Sequence, residues 1–148
     1  FTYSSNIIKD GKFYLGAANL IDLSGNKISG FPEILSNFGI SYSKSGLIAK
    51  LNGKYVGAFY SDNYDGKLEN YLAANPGFVS YTDNKNDAYF TADFFVSYET
   101  NILKALGNTK IFFQVNNIFD NLYSAYAIGG EFFPAAERNF LAGLQVEL

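Results

Sequence analysis

Asp62, Asn63 and Asp65 put three oxygen-bearing side chains within four residues, and Tyr60, Tyr64, Tyr71 and Tyr81 recur around them. Oxygens at that density could serve calcium, a hard cation with carboxylate and amide ligands. Their spacing fits no EF-hand loop, however, and a hydrated turn is the simpler reading. The tyrosines could stack on a sugar or an aromatic siderophore, or could form the packed core of a long loop. On these grounds Asp62, Asn63, Tyr64, Asp65, Tyr71 and Tyr81 are the candidate ligand contacts. Arg138 is the only Arg in the chain. It could be a ligand-binding cation, but an ion pair with Asp120 or Glu137 at the start of the last strand is the favoured role.

Other chemistry finds little support. The chain has no His and no Cys, which removes the commonest general base and metal ligand at neutral pH, thiol nucleophiles and disulfides. No Ser–His pair can form, no Gly-rich phosphate loop follows a strand, and no close carboxylate pair marks a cleft. No enzymatic activity, cofactor or metal is therefore expected. The net charge of -3 gives no basic footprint for nucleic acid. No apolar run reaches the roughly 18 residues of a membrane-spanning helix, which leaves membrane-spanning strands open.

The elements that must carry these residues repeat with period two. The 15 Phe and 12 Tyr, with no Trp or Met, suit a pleated surface. Alternating runs cover Ile34 to Tyr42, Leu47 to Tyr60, Phe90 to Tyr98, Lys110 to Asn116 and Asn139 to Leu148. Less clear strands lie in Phe1 to Ile8 and Phe13 to Ile21. The apolar faces put Phe38, Ile40, Leu51, Phe94, Val96, Phe113, Leu144 and Val146 on one side. Tyr42, Phe59, Phe90 and Tyr98 stand at strand ends, where an aromatic girdle at a membrane surface belongs. On the polar side, Lys50, Lys54, Asp93 and Gln114 are expected to face a wet interior. Thr91 also points there, so an Arg should be tolerated at Thr91 and costly at Phe94. The connections alternate: Ser43 to Gly46 is tight, whereas Asp62 to Asn86 and Asp120 to Glu137 are long and rich in Gly, Pro and Asn. Membrane barrels have short periplasmic turns and long external loops. A soluble β-sandwich shares the alternation but has no reason to keep its long loops at one end.

The stretch from Gln114 to Leu148 resembles the C-terminal end of TonB-dependent outer-membrane receptors. The matching features are Asn117, Ile118, Phe119, Asp120 and Tyr123, then Pro134, then Arg138 and Phe140 leading into the final strand. Gly30-Phe31-Pro32 and Tyr55-Val56-Gly57 before Asp62-Asn63 extend the likeness over most of the chain. The resemblance implies an all-β fold, an antiparallel transmembrane barrel of about 22 strands, of which residues 1–148 hold roughly the last six. A barrel needs at least about eight strands to close, and an open sheet edge cannot sit in lipid. The chain is therefore expected to be the C-terminal part of the barrel domain, without the N-terminal plug.

The implied location is the cell outer membrane of a Gram-negative bacterium. The implied partners are lipid, the rest of the barrel and its plug, and the periplasmic energy-coupling protein TonB acting through that plug. A small molecule or glycan would be the ligand: siderophore-iron, cobalamin, haem or oligosaccharide. Related barrels end in a signal read by the assembly machinery, and Phe140, Gly143, Val146 and Leu148 are its counterparts, with Leu148 in place of the usual Phe. Two other readings stay open, a structural or adhesive outer-membrane barrel without transport and a soluble carbohydrate-binding β-sandwich.

Overall fold

Strict alternation turns five segments into long strands. The computed structural model describes residues 1–15, 19–101 and 107–147. Along the chain these form β1 (Thr2–Tyr3), β2 (Lys12–Leu15), β3 (Asn19–Asp22), β4 (Ile34–Lys44), β5 (Leu47–Val56) and β6 (Phe59–Tyr60). A 3-10 turn at Asp65–Lys67 runs into α1 (Leu68–Ala74). Then come β7 (Lys85–Asn86), β8 (Tyr89–Thr100), β9 (Asn108–Asn116), β10 (Ser124–Ile128), β11 (Glu131–Pro134) and β12 (Asn139–Glu147). Six of the strands make an antiparallel sheet in the order β1-β4-β5-β8-β9-β12. The all-β expectation holds, with one short helix added.

The chain divides into two compact units. Residues 36–55, 90–122 and 136–148 form the sheet unit, and residues 1–35, 56–89 and 123–135 form the loop unit.

In the sheet unit, register decides which side chains share a face. Phe94 pairs with Val115 and Val115 with Phe140; Val96 pairs with Phe113 and Phe113 with Ala142; Tyr98 pairs with Ile111 and Ile111 with Leu144. The rows between them run Phe95–Gln114–Leu141, Ser97–Phe112–Gly143 and Glu99–Lys110–Gln145. A slip of one residue would exchange the two faces, so this pairing separates an aliphatic and aromatic face from a mostly polar one.

Among the described residues most of the apolar face is exposed. Ile40 is 72% exposed and Leu144 60%, and Phe38, Leu51, Phe113 and Phe140 are exposed too. The only buried apolar residue in this unit, among those described, is Ala92. A sandwich buries its apolar face against a second sheet; among the described residues this face is left open. Among the described residues no helix is long and apolar enough to cross a membrane, which says nothing of strands.

The tight connection is shorter than expected. β4 runs on through Lys44, leaving a two-residue turn in which Ser45 (φ 49°) and Gly46 (φ 82°) are both left-handed. Primed turns of this kind match strand twist. A β-carbon on Gly46 would also come within 2.5 Å of the Glu99 carbonyl oxygen.

Other expectations need correction. The strand expected to reach Tyr60 leaves the sheet after Val56, and Phe59–Tyr60 pair instead with Lys85–Asn86 inside the long connection. Phe59 is accordingly 7% exposed and belongs to the loop core, not to a girdle. Only Thr2–Tyr3 of the first segment pairs into the sheet, and Lys12–Leu15 with Asn19–Asp22 makes a separate hairpin. Thr91 is buried and would not tolerate Arg easily. Neither long connection is structureless: one contains α1 and the other the β10–β11 hairpin.

Candidate functional site

Three buried amides, Asn26, Asn84 and Asn86, tie the loop unit together, and Asn26 is the deepest. Asn26 is 0% exposed. Its Nδ2 donates to the Asn63 carbonyl (3.0 Å) and the Tyr71 hydroxyl (3.3 Å), and its Oδ1 accepts from Lys67 Nζ (2.6 Å). The Tyr71 hydroxyl donates onward to the Asp22 carbonyl (2.6 Å). Asn63 Oδ1 accepts the Ser29 N–H (2.9 Å), and the Asp65 carboxylate accepts those of Lys27 (3.3 Å) and Gly66 (2.7 Å). Asp62 takes three donors, the Tyr64 N–H (2.8 Å), Asn84 Nδ2 (2.7 Å) and the Tyr81 hydroxyl (2.9 Å). The Tyr64 ring packs on Tyr71 and Phe78, at 5.4 and 5.2 Å between centroids.

The six candidate ligand contacts thus gather in one network: the side-chain oxygens of Asp62, Asn63, Asp65, Tyr71 and Tyr81 are hydrogen-bonded within the loop unit, and Tyr64 joins through its backbone N–H and its ring. Leaving such a buried group unpaired costs about 1–3 kcal/mol, which is why a polar connection of this length can hold a fixed shape. Among the described residues no group of three or more His, Cys, Asp or Glu side chains could hold a metal ion.

Tyr81 links this network to the β10–β11 hairpin. Its ring lies against Gly129 and Gly130, leaving no room for a β-carbon at Gly130. The Gly129 N–H donates to the Ser61 carbonyl (3.0 Å), and the Ser61 hydroxyl lies between the carbonyls of Gly129 and Asn84. Asn86 Nδ2 donates to the Ser124 carbonyl (3.0 Å), and the Tyr89 and Tyr123 rings stack at 4.2 Å. An open depression of about 530 Å³ is lined by Ser80, Tyr81, Ile128, Gly129, Gly130 and Glu131.

Burial first, then the hydrogen bond and charge of Asp62, push the Tyr81 phenol well above its ordinary range. The protonated phenol is the form that stabilises, so its contribution is complete below the ordinary value of 10.0 and fades as pH rises through the raised one. Protease resistance of the 57–88 connection is expected to fall in strong alkali. Tyr81→Phe should lower it at neutral pH and flatten its alkaline decline; an unchanged pH profile in that variant would remove Tyr81 from the network.

The sequence reading missed an aromatic pair on the hairpin. Tyr126 and Phe133 are register partners with centroids 5.8 Å apart, 53% and 45% exposed. Alternating runs on either side of Gly129-Gly130 are a hairpin signal that would have found them.

The four residues expected to face a wet interior do share the polar face of the sheet. Lys50, Asn52, Asp93 and Gln114 line one depression of about 270 Å³, and Asn37, Asn52, Lys54 and Asp93 line another of about 490 Å³. Gln114 Nε2 donates to Asn116 Oδ1 (2.7 Å), and Asn116 Nδ2 to Asn139 Oδ1 (2.8 Å), so this wall is rich in neutral amides. Gly143 sits beneath the Phe112 ring, which itself stacks on Phe95 at 6.3 Å; a side chain at 143 would have to displace that ring. Phe140 stacks on Phe113 at 6.2 Å, and Val146 pairs with Thr109 on the apolar side. Leu148 lies outside the described residues.

The Asn-Ile-Phe-Asp stretch has a mechanical explanation. Asn117 (φ 52°) and Asp120 (φ 56°) turn the chain out of β9. The Asn117 N–H donates to Asp93 Oδ1 (2.9 Å), and its side chain bonds the Asn121 carbonyl and N–H (2.9 and 3.1 Å). Asp120 Oδ1 accepts the Arg138 N–H (2.8 Å), and Arg138 Nη2 stands 3.6 Å from Asp120 Oδ2. Arg138 is thereby a clamp between the start of β12 and the turn after β9.

No family model and no curated protein matches the sequence. Solved structures do. The siderophore receptor PiuA from Acinetobacter baumannii matches with a TM-score of 0.66 at 17% identity, over 90% of this chain and 16% of that one. The ferric citrate transporter FecA in its unliganded form and the ferric-catecholate import receptor Fiu from E. coli K12 each match at 0.60 and 18% identity, over 84% of this chain and 17% of theirs. The fold is that of part of a TonB-dependent receptor barrel. This chain spans about one sixth of the receptors it matches. At this level of identity the fold assigns no ligand.

Proposed function

We propose that this chain is part of an outer-membrane receptor that takes up a scarce nutrient in a TonB-dependent, energy-coupled way. The observation that carries the proposal is the two-faced sheet, apolar and uncovered on one side, polar on the other, with a two-residue turn at one end and the long connections at the other. Lipid is the partner of the apolar face. The amide wall faces the barrel interior and its plug, through which TonB acts. The loop unit lies outside the cell, and the work is binding and transport rather than catalysis. The barrel-assembly machinery engages the terminal strand through Phe140, Gly143, Val146 and Leu148.

The test uses single cysteines in the full-length protein on intact cells. Asn84 is buried, so Thr82, which is exposed, is the external probe. Thr82→Cys is expected to label with an impermeant maleimide and Ser45→Cys only after the outer membrane is opened. Labelling of Ser45→Cys alone would reverse the topology. Uptake that persists unchanged in cells lacking the coupling protein would reject the energy-coupled part.

A further inference from the structure

The long connections of the loop unit are net acidic. Within the loop unit, residues 57–88 and 123–135 contain six acidic side chains against Lys67 and Lys85, a net of −4, where the whole chain carries -3. An anionic iron chelate would approach this surface against its field, because summed like charge repels incoming ligands over roughly a Debye length. The neighbours named for ferric citrate and ferric catecholate import therefore point to a ligand charge that these loops do not complement.

The surface does offer rings. Tyr126 and Phe133 stand side by side on the exposed face of β10–β11, with Ile128 exposed on the same face two residues along. They lead to the depression lined by Ser80, Tyr81 and Glu131. Two adjacent exposed aromatic faces bind flat, weakly polar ring faces. The carboxylate of Glu131 and the hydroxyl of Ser80 supply hydrogen-bond partners for ring substituents. A pyranose has both properties, an apolar C–H face and a rim of hydroxyls, and it brings no charge to be repelled.

We infer that the ligand of this surface is a neutral oligosaccharide, stacked on Tyr126 and Phe133 with a terminal sugar in the Ser80–Glu131 depression. The inference rests on the uptake reading above and names its substrate class.

The test measures binding to the full-length detergent-solubilised protein. The probes are an array of neutral oligosaccharides that includes maltohexaose, cellohexaose and chitohexaose, alongside ferric citrate and the cationic chelate ferrioxamine B. A neutral oligosaccharide is expected to bind and ferric citrate not to. Tyr126→Ser with Phe133→Ser should weaken glycan binding at least tenfold while the heat-modifiable mobility of the folded barrel is unchanged. Tyr126→Trp, which keeps a ring face, should retain binding. Binding of either chelate with no glycan bound overturns the inference, as does an array without a single neutral binder or glycan binding indifferent to the double substitution. Energy-dependent uptake of ferric citrate without glycan binding would sink this inference and leave the receptor reading standing; glycan binding without energy-dependent uptake would do the reverse.

Discussion

Leu144→Arg is expected to destabilise the full-length folded barrel by about 2–4 kcal/mol, the cost of a cation at the lipid face near the middle of the bilayer. Leu144 sits centrally in β12, opposite Ile111, on the face where Phe113, Phe140 and Val146 also lie. Its neighbour Gln145 points the other way, in a row with Lys110 and Glu99. Gln145→Arg should cost about 1 kcal/mol or less: it would stand opposite Lys110, a like charge across the ladder, with Glu99 and Glu147 close by to offset it. The comparison is sharp because both residues are exposed in this chain and differ by one pleat. Reversible unfolding in denaturant from vesicles measures both, and equal costs would mean that the faces have been assigned wrongly.

Asn26→Ala should open the loop unit. The substitution strips partners from the Asn63 carbonyl, the Tyr71 hydroxyl and the Lys67 ammonium at once. With one buried group unsatisfied costing about 1–3 kcal/mol, and a charged donor among them, the loss should fall at or above the upper end. Limited proteolysis of the 57–88 connection is expected to become at least tenfold faster, while the barrel itself stays assembled. Asn26→Asp should be milder, since it keeps an acceptor for Lys67. Unchanged protease resistance in the alanine variant would show that the loop is held by something other than this amide.

The two units differ in how far their residues announced them. The sheet was legible because period-two alternation is a local signal that survives without knowledge of the partner strand. Phe94, Val96 and Tyr98 against Phe95, Ser97 and Glu99 fix a face before any pairing is known. The loops were not, because what shapes them is non-local. Asn26 reaches Asn63, Tyr71 and Lys67 across about forty residues, at separations of 37, 45 and 41, and nothing in the local sequence marks it as buried. The strand drawn through Tyr60 failed for a related reason. Gly57 still gives its N–H to the Ile34 carbonyl of β4, and beyond it the chain leaves the sheet, while Phe59 continues the alternation by coincidence and packs elsewhere. The tyrosine cluster was placed correctly in the loop, but composition cannot separate rings that meet each other from rings that meet a ligand. Tyr64 and Tyr71 meet each other; Tyr126 and Phe133 are left facing outward.

The most direct test of the account is a quenching scan along β12. Single cysteines from Phe140 to Glu147 in the full-length protein, each carrying a small fluorophore, are reconstituted in bilayers and exposed to brominated lipid or aqueous iodide. Residues 140, 142, 144 and 146 are expected to be quenched by the lipid and 141, 143, 145 and 147 by iodide, with Gly143 interpreted alongside its neighbours because a side chain there displaces Phe112. Iodide quenching at every position, with none by lipid, would show that this sheet does not face a membrane and would contradict the account at its root.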